Sequence, residues 1–238
     1  MKRFIVDEKV FQALPGYCVG VVAARGVDNG SVHAGIARML EENAAGFAAR
    51  FSEVNVRELP FVAAYRGAFT KLGMNPNKFM CSIEALTKRV QKSGHLPHIN
   101  PIVDVGNAFS LKYQLPMGAH DIDRLESEGM AIRFSTPQDH FLGMGETQAE
   151  DMPEGELVYV SGHTVKTRRW IWRQSEDGKI TESTSHIFFP IDGFEGVNQK
   201  EVVTARDELA DFLRQELRCE VWTGYVDGSR PVFDFLWT

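Results

Sequence analysis

Asn100-Pro101-Ile102-Val103-Asp104-Val105-Gly106-Asn107, followed by Leu115-Pro116-Met117-Gly118-Ala119-His120-Asp121-Ile122-Asp123, marks the point where the chain changes texture. On the N-terminal side apolar residues recur mostly at helical spacing. Ile36, Met39, Leu40, Phe47 and Phe51 mark one amphipathic helix, and Phe61, Tyr65, Phe69 and Leu72 mark a second. Gly73 and Asn75-Pro76-Asn77 stop the second helix, and Ser82 is placed to cap a third that carries Ile83, Leu86 and Val90 and ends at Gly94. Before them, Tyr17 to Ala24 is apolar and β-branched between turn residues, which reads as a buried strand of a central sheet. The quoted stretch opens with a short helical segment through Val103, Asn107 and Leu111 that leads to Pro116.

Beyond it strands dominate. Met130, Ile132 and Phe134 alternate, and Leu157 to Val160, Val165 to Gln174 and Ile187 to Phe189 read as further strands. The turn formers Glu176-Asp177-Gly178-Lys179 would join the last two as an antiparallel hairpin. Asn198 and Glu201 form a capping-box-like start for a helix through Leu209, Phe212, Leu213 and Leu217. A strand from Glu220 to Tyr225 follows, and Asp227-Gly228 would fold it back onto Val232 to Phe235. The expected class is α+β, largely antiparallel sheets flanked by helices. Without a repeat or a linker, residues 1–238 are expected to form one unit, mainly helical over 1–95 and strand-rich over 96–238, where the site should lie.

A chain of 238 residues that is 43% hydrophobic supports a substantial core. Its net charge of −6 opposes broad attachment to DNA, RNA or anionic lipid, so any RNA contact should be local or assisted. Cys18, Cys81 and Cys219 are odd in number and scattered, which argues against a disulfide framework or a cysteine zinc site. Charge follows Met1 too closely for a signal peptide, and no apolar run has spanning length, so the expected location is the cytoplasm.

Several motifs have a plain reading beside a chemical one. Gly16-Tyr17-Cys18-Val19-Gly20 has the outline of a nucleophile elbow but enters an apolar strand, where cysteines are inert. Gly143-Met144-Gly145 lacks the third glycine of a dinucleotide loop and reads as a turn. His95 and His98 have a metal-ligand spacing, yet Pro97 lies between them and no carboxylate stands at motif distance, so no metal or other cofactor is expected. In Leu115 to Asp121, Gly118 and Ala119 stand beside an imidazole and a carboxylate and leave room for a ligand. The alternative is a tight glycine turn with a structural His–Asp hydrogen bond. In Arg168-Arg169-Trp170-Ile171-Trp172-Arg173-Gln174-Ser175, strand alternation sends Arg168, Trp170, Trp172 and Gln174 to one face. Such a face could stack a base and grip a phosphate, or fill a core while its arginines snorkel.

Taken in order, Asn100 to Asn107, Leu115 to Asp123 and Arg168 to Ser175 resemble the B3/B4 module of the phenylalanyl-tRNA synthetase beta subunit, and more closely free-standing relatives of it. Pro76, Glu84-Ala85-Leu86, Arg89-Val90 and Leu96-Pro97 extend the resemblance to residues 75–194. The resemblance implies a B3/B4 fold and an aminoacyl-tRNA deacylase, which removes a wrongly attached amino acid from tRNA, or a binder descended from one. Two editing-site groups of the bacterial synthetases do not carry over: a histidine aligns with Gly118 and a glutamate with Pro190. His120 and Asp192 each lie two residues further on, so in extended backbone they project from the same faces.

The expected chemistry is ester hydrolysis by a positioned water, with His120 as its base or orienting group and Asp121 or Asp104 orienting the imidazole. Gly118, Ala119, Asn107 and Asp192 would shape the substrate site. Arg168 would hold a phosphate or ribose, Trp172 would flank the side chain or adenine, and Gln174 or Ser175 would donate hydrogen bonds. The expected partner is tRNA or aminoacyl-tRNA. Alternatives are a non-catalytic module that binds RNA, a free amino acid or a small metabolite, and an esterase or amidase acting on free aminoacyl compounds.

Overall fold

The computed structural model describes residues 1–236. The elements in chain order are β1 Arg3–Val6, α1 Glu8–Ala13, β2 Tyr17–Arg25, α2 Ala34–Phe51, α3 Pro60–Lys71, α4 Ser82–Ser93 and α5 Pro101–Tyr113. They continue with β3 His120–Asp121, β4 Gly129–Phe134, β5 His140–Phe141, β6 Glu150–Asp151, β7 Leu157–Ser161, β8 Thr164–Arg168 and β9 Arg173–Gln174. The chain closes with β10 His186–Phe194, α6 Gln199–Glu216, β11 Glu220–Val226 and β12 Val232–Asp234.

The fold is α+β, as expected, with two sheets. The larger runs β12-β1-β4-β7-β8-β5-β6, with β9 on β8, and the smaller runs β11-β2-β10-β3. All pairs are antiparallel except β1 with β4 and β5 with β8. The smaller sheet is covered on both faces, which is why β2 is a continuous apolar run rather than an alternating one. Val19, Val21 and Ala23 join Phe4, Ile132, Tyr159 and Phe188 in the core between the sheets. Val22 and Ala24 face the other way, packing with Ile102, Val105 and Phe109 of α5 and Leu209 and Leu213 of α6. A third cluster joins α2, α3, α4 and α5 through Leu40, Phe47, Val62, Val90 and Leu111.

Residues 1–95 are mainly helical, yet their two strands are built into sheets completed by the later part of the chain. β2 lies between β10 and β11 of the smaller sheet, and β1 lies inside the larger one. Four local readings are corrected. The stretch Glu176 to Lys179 does not close a hairpin, because β8 and β9 belong to the larger sheet and β10 to the smaller. Asp227-Gly228 does turn the chain, but β12 crosses to pair with β1. Asn198 precedes α6 without capping it: its Oδ1 accepts from Phe194 N at 2.8 Å and its Nδ2 donates to the Tyr65 hydroxyl at 2.9 Å. Ser82 is the first residue of α4, with Cys81 in the cap position, whereas Gly94 ends it in the left-handed conformation.

Gly129 shows how closely neighbouring strands of the larger sheet approach. It pairs with Arg3 at φ +96°, and a Cβ there would lie 2.0 Å from the Arg3 carbonyl oxygen. Gly129→Ala is therefore expected to cost about 2–5 kcal/mol, combining backbone strain with a clash that no rotamer relieves. A urea midpoint unchanged from wild type would contradict this.

Candidate active site

His120 owes its position to the register of β3 on β10, in which His120 faces Phe188 and Asp121 faces Ile187. Successive side chains in a strand point to opposite faces, so imidazole and carboxylate part company. The His120 ring is 3% exposed and stacks between Tyr159, at 5.8 Å between centroids, and Phe188, at 6.1 Å. Burial, aided by the positive charge of Lys166, pushes its pKa down to about 3, so the imidazole is neutral at ordinary pH. Asp121 instead accepts from the Thr184 hydroxyl at 2.8 Å and from Asp123 N at 2.9 Å. Asp104 accepts from Ile99 N at 3.0 Å and lies 2.9 Å from Nδ1 of His98, whose other ring nitrogen meets Glu41. Neither carboxylate orients His120; aromatic packing does, and the expectation of a His120–Asp121 or His120–Asp104 pair is corrected.

The expected single strand from Val165 to Gln174 is also corrected. β8 ends at Arg168, the chain turns through Arg169 and Trp170 at φ 49° and 60°, and β9 returns antiparallel to β8. Two consecutive non-glycine residues in the left-handed region are costly and need support. Backbone bonds from Trp170 N to Leu157 O (2.6 Å) and from Ser82 N to Ile171 O (2.9 Å) supply it. The turn redirects the arginines. Arg168 is engaged by Glu150 and by Glu156, the latter at 2.9 Å. Arg169 pairs with Glu156 at 3.3 Å and lies over the rings of Phe79 and Trp172. Arg168 is thus committed to carboxylates rather than to a phosphate or ribose.

Trp170 itself is driven inward and fully buried. Its Nε1 donates to Asp192 Oδ1 at 2.9 Å and to the Tyr17 hydroxyl at 3.1 Å. The hydroxyls of Tyr17 and Tyr159 donate to the same carboxylate oxygen, Tyr159 at 2.8 Å. Asp192 is 1% exposed, and burial outweighs these three donors, raising its pKa to about 6.

These groups enclose a cavity of about 140 Å³, lined by His120, Tyr159, Trp170, Trp172, Gln174 and Asp192, with Gly118, Met117 and Pro190 at its wall. Met117, Gly118 and Gln174 also line a wider neighbouring hollow of about 490 Å³, whose far side is built from Asn100, which caps α5, from Val103, Gly106 and Asn107 of that helix and from Lys179 to Glu182. Gly118 separates the two. A Cβ there would come within 3.3 Å of His120 Nε2 and 3.5 Å of Pro190, so glycine keeps the imidazole edge open. Gln174 Nε2 donates to Ala119 O at 2.7 Å, tying the β9 hairpin to the segment before His120.

The structure therefore brings together His120, Gly118, Trp172, Gln174 and Asp192 at the cavity, and Ala119 and Asn107 at the hollow beside it. It leaves Asp104, Asp121, Arg168 and Ser175 outside both; the Ser175 hydroxyl is buried on Leu142 O at 2.8 Å. Tyr17 and Tyr159 escape a reading by motif. Their signal is a polar-tipped ring inside an otherwise apolar strand, which must find a buried partner. Cys18 is buried in β2, its thiol pushed up to about 11 by burial, and has no nucleophilic character. Gly143 to Gly145 form a turn, with Glu146 N bonded to Gly143 O at 2.9 Å.

An α+β fold with this cavity between its two sheets corresponds to a defined class: the sequence model of the B3/4 domain matches residues 64–215, and the chain belongs to that family. Over 103 residues, 43% of its length, it is 29% identical to the phenylalanine–tRNA ligase beta subunit of Idiomarina loihiensis, of which it spans 12%. A solved N-terminal fragment of the phenylalanyl-tRNA synthetase beta subunit from Pyrococcus horikoshii aligns with 94% of this chain and 54% of its own, at a TM-score of 0.47 and 9% identity.

Proposed function

We propose that this protein is an aminoacyl-tRNA deacylase of the editing type, acting on tRNA charged elsewhere. The observation that carries the reading is the convergence of His120 and the tryptophan-bearing hairpin on one cavity that adjoins a wider hollow across Gly118. The aminoacyl group occupies the small cavity, the terminal adenosine occupies the hollow beside Asn107 and Lys179, and the ester lies at the Gly118 passage. Water adds to the acyl carbon there, the ester C–O bond breaks, and the amino acid and the ribose hydroxyl leave.

A neutral His120 always offers one acceptor nitrogen, and its Nε2 edge lies beside Gly118, where no side chain covers it. With a pKa near 3 it is a weak base, so its role is to hold the water by a hydrogen bond rather than to store its proton. An ester needs no more than this, because positioning and electrostatics lower an already modest barrier. Trp172 and Tyr159 supply the walls and Gln174 fixes the loop that carries His120. The chain's charge of −6 limits the tRNA body to local contacts.

The same weak basicity favours the second reading, a module that binds aminoacyl-tRNA or a free amino acid without turnover. Incubation with a panel of charged tRNAs separates the two. Deacylation of at least one, reduced about a hundredfold by His120→Ala while tRNA binding persists, is the expected result. Binding with no turnover on any charged tRNA would leave only the second reading, and hydrolysis of free aminoacyl esters at the same rate would assign the site to a small-molecule esterase.

A further inference from the structure

We infer that the cavity between the sheets is an ammonium receptor, in which Asp192 Oδ2 and the surrounding aromatic rings take the cationic amino group of the ligand. All three donors to Asp192, from Tyr17, Tyr159 and Trp170, converge on Oδ1. Oδ2 receives no hydrogen bond from the described residues, yet it is not among the sealed, unpartnered polar atoms, and Asp192 lines the cavity. A carboxylate oxygen in a nearly fully buried residue is thus left open to the one space it can reach.

Among the described residues the charge at this position has no counter-ion. The groups facing Asp192 are the phenols of Tyr17 on β2, Tyr159 on β7 and Tyr65 on α3, the last donating to the Asp192 carbonyl oxygen at 2.8 Å, the Cys18 thiol on β2, the Trp170 indole and, across the cavity, neutral His120; among the described residues no lysine or arginine lines the cavity. Arg169, which lies over the Trp172 ring, is paired with Glu156. Neutral donors spread the charge of a buried carboxylate but do not cancel it, so the field in the cavity favours a cation. A ligand hydroxyl would satisfy Oδ2 and leave the charge standing, whereas an ammonium satisfies both, and indole and phenol faces add cation–π attraction. The volume, about 140 Å³, is close to the roughly 150 Å³ that accepts benzene in an engineered cavity, so the cation must be carried on a small group.

This deepens the deacylase reading and rests on it only for the source of the amine, since every aminoacyl ester carries an α-ammonium and some carry a second on the side chain. Binding of n-butylammonium to the intact protein, measured by calorimetry with 1-butanol as the uncharged partner of equal length, tests it without turnover. The expected result is binding of the amine at least tenfold tighter than the alcohol at pH 8, weakened at least tenfold at pH 5, where Asp192 is protonated. Asp192→Asn, which keeps the Oδ1 acceptor for its three donors, is expected to abolish the preference. Equal affinity for amine and alcohol, or a preference that survives pH 5 or Asp192→Asn, would overturn the proposal. N-acetylation of an aminoacyl ester and comparison of lysyl with norleucyl esters then assign the amine to the α or the side-chain position. Amine binding without deacylation of any tRNA leaves the receptor standing and removes the deacylase.

Discussion

Trp170→Ala is expected to destabilise the protein by about 3–5 kcal/mol, read as a drop in the urea midpoint with an unchanged slope. The indole is completely buried between the sheets, in edge contact with Tyr17 and packed against Tyr65, Phe69 and Phe194. Truncation leaves a void there and withdraws a donor from the Asp192 carboxylate. It also removes the burial that holds the turn at Arg169 and Trp170 in the left-handed region. Trp170→Phe separates these effects. It retains most of the ring contacts but not the N–H, so a smaller loss, about 1–2 kcal/mol, is expected together with a further rise in the Asp192 pKa. A loss under 1 kcal/mol for the alanine variant would mean that the hairpin holds its shape without the indole.

The second large effect is a pair of opposing pH dependences from two groups facing one cavity. Asp192 has a folded pKa of about 6 against an ordinary 3.8, so between those values the folded state keeps a proton the unfolded chain has released. Its contribution to stability is fully present below the lower value and lost as pH rises through 6, by about 3 kcal/mol. His120 behaves in the reverse sense. Its folded pKa of about 3 lies below the ordinary 6.5, so its contribution is fully present above pH 6.5 and is lost as pH falls toward 3, by about 5 kcal/mol over the whole range. Between pH 4 and 6 the two nearly cancel in the wild type. Unfolding free energies of the single variants should expose each: Asp192→Asn loses stability from pH 6.5 to 4, by about 3 kcal/mol relative to wild type, and His120→Gln gains it over the same interval. Parallel curves for wild type and both variants would show that these groups are not buried as described.

The cancellation depends on geometry that no local pattern encodes. Asp192 and His120 are 72 positions apart and meet only because β3 and β10 are neighbours and the larger sheet closes over them. The fold was far more legible than the site. The apolar spacing of α2, α3 and α4 and the runs of β2, β4 and β7 identify their elements correctly, because burial on one face, or on both, imposes its period on the sequence. The strand pairings were not legible. Asp227-Gly228 is a competent turn, yet β12 adds to β1 in the other sheet, since a turn fixes chain reversal and not the edge on which the returning strand lands.

The same distinction runs through the site residues. His120 and Gly118 could be read from a short segment, because their relation is two positions of extended chain. Asp192 could be placed on a face by the same rule. The adjacency of His120 and Asp121 suggested a pair, but in a strand adjacency means opposite faces, and their side chains point to different layers. Arg168 suggested anion binding, and the structure commits it to Glu156 and Glu150, 12 and 18 positions away.

The sequence by itself determined the α+β class, the family and the identity of the segment that carries the imidazole, because local periodicity and ordered motifs survive without coordinates. The tertiary structure alone decided which carboxylate faces the cavity, that its charge lacks a counter-ion among the described residues, and that the histidine is held neutral. Those properties arise from desolvation and from contacts between strands distant along the chain, and burial is a property of the whole packed molecule rather than of any stretch of it.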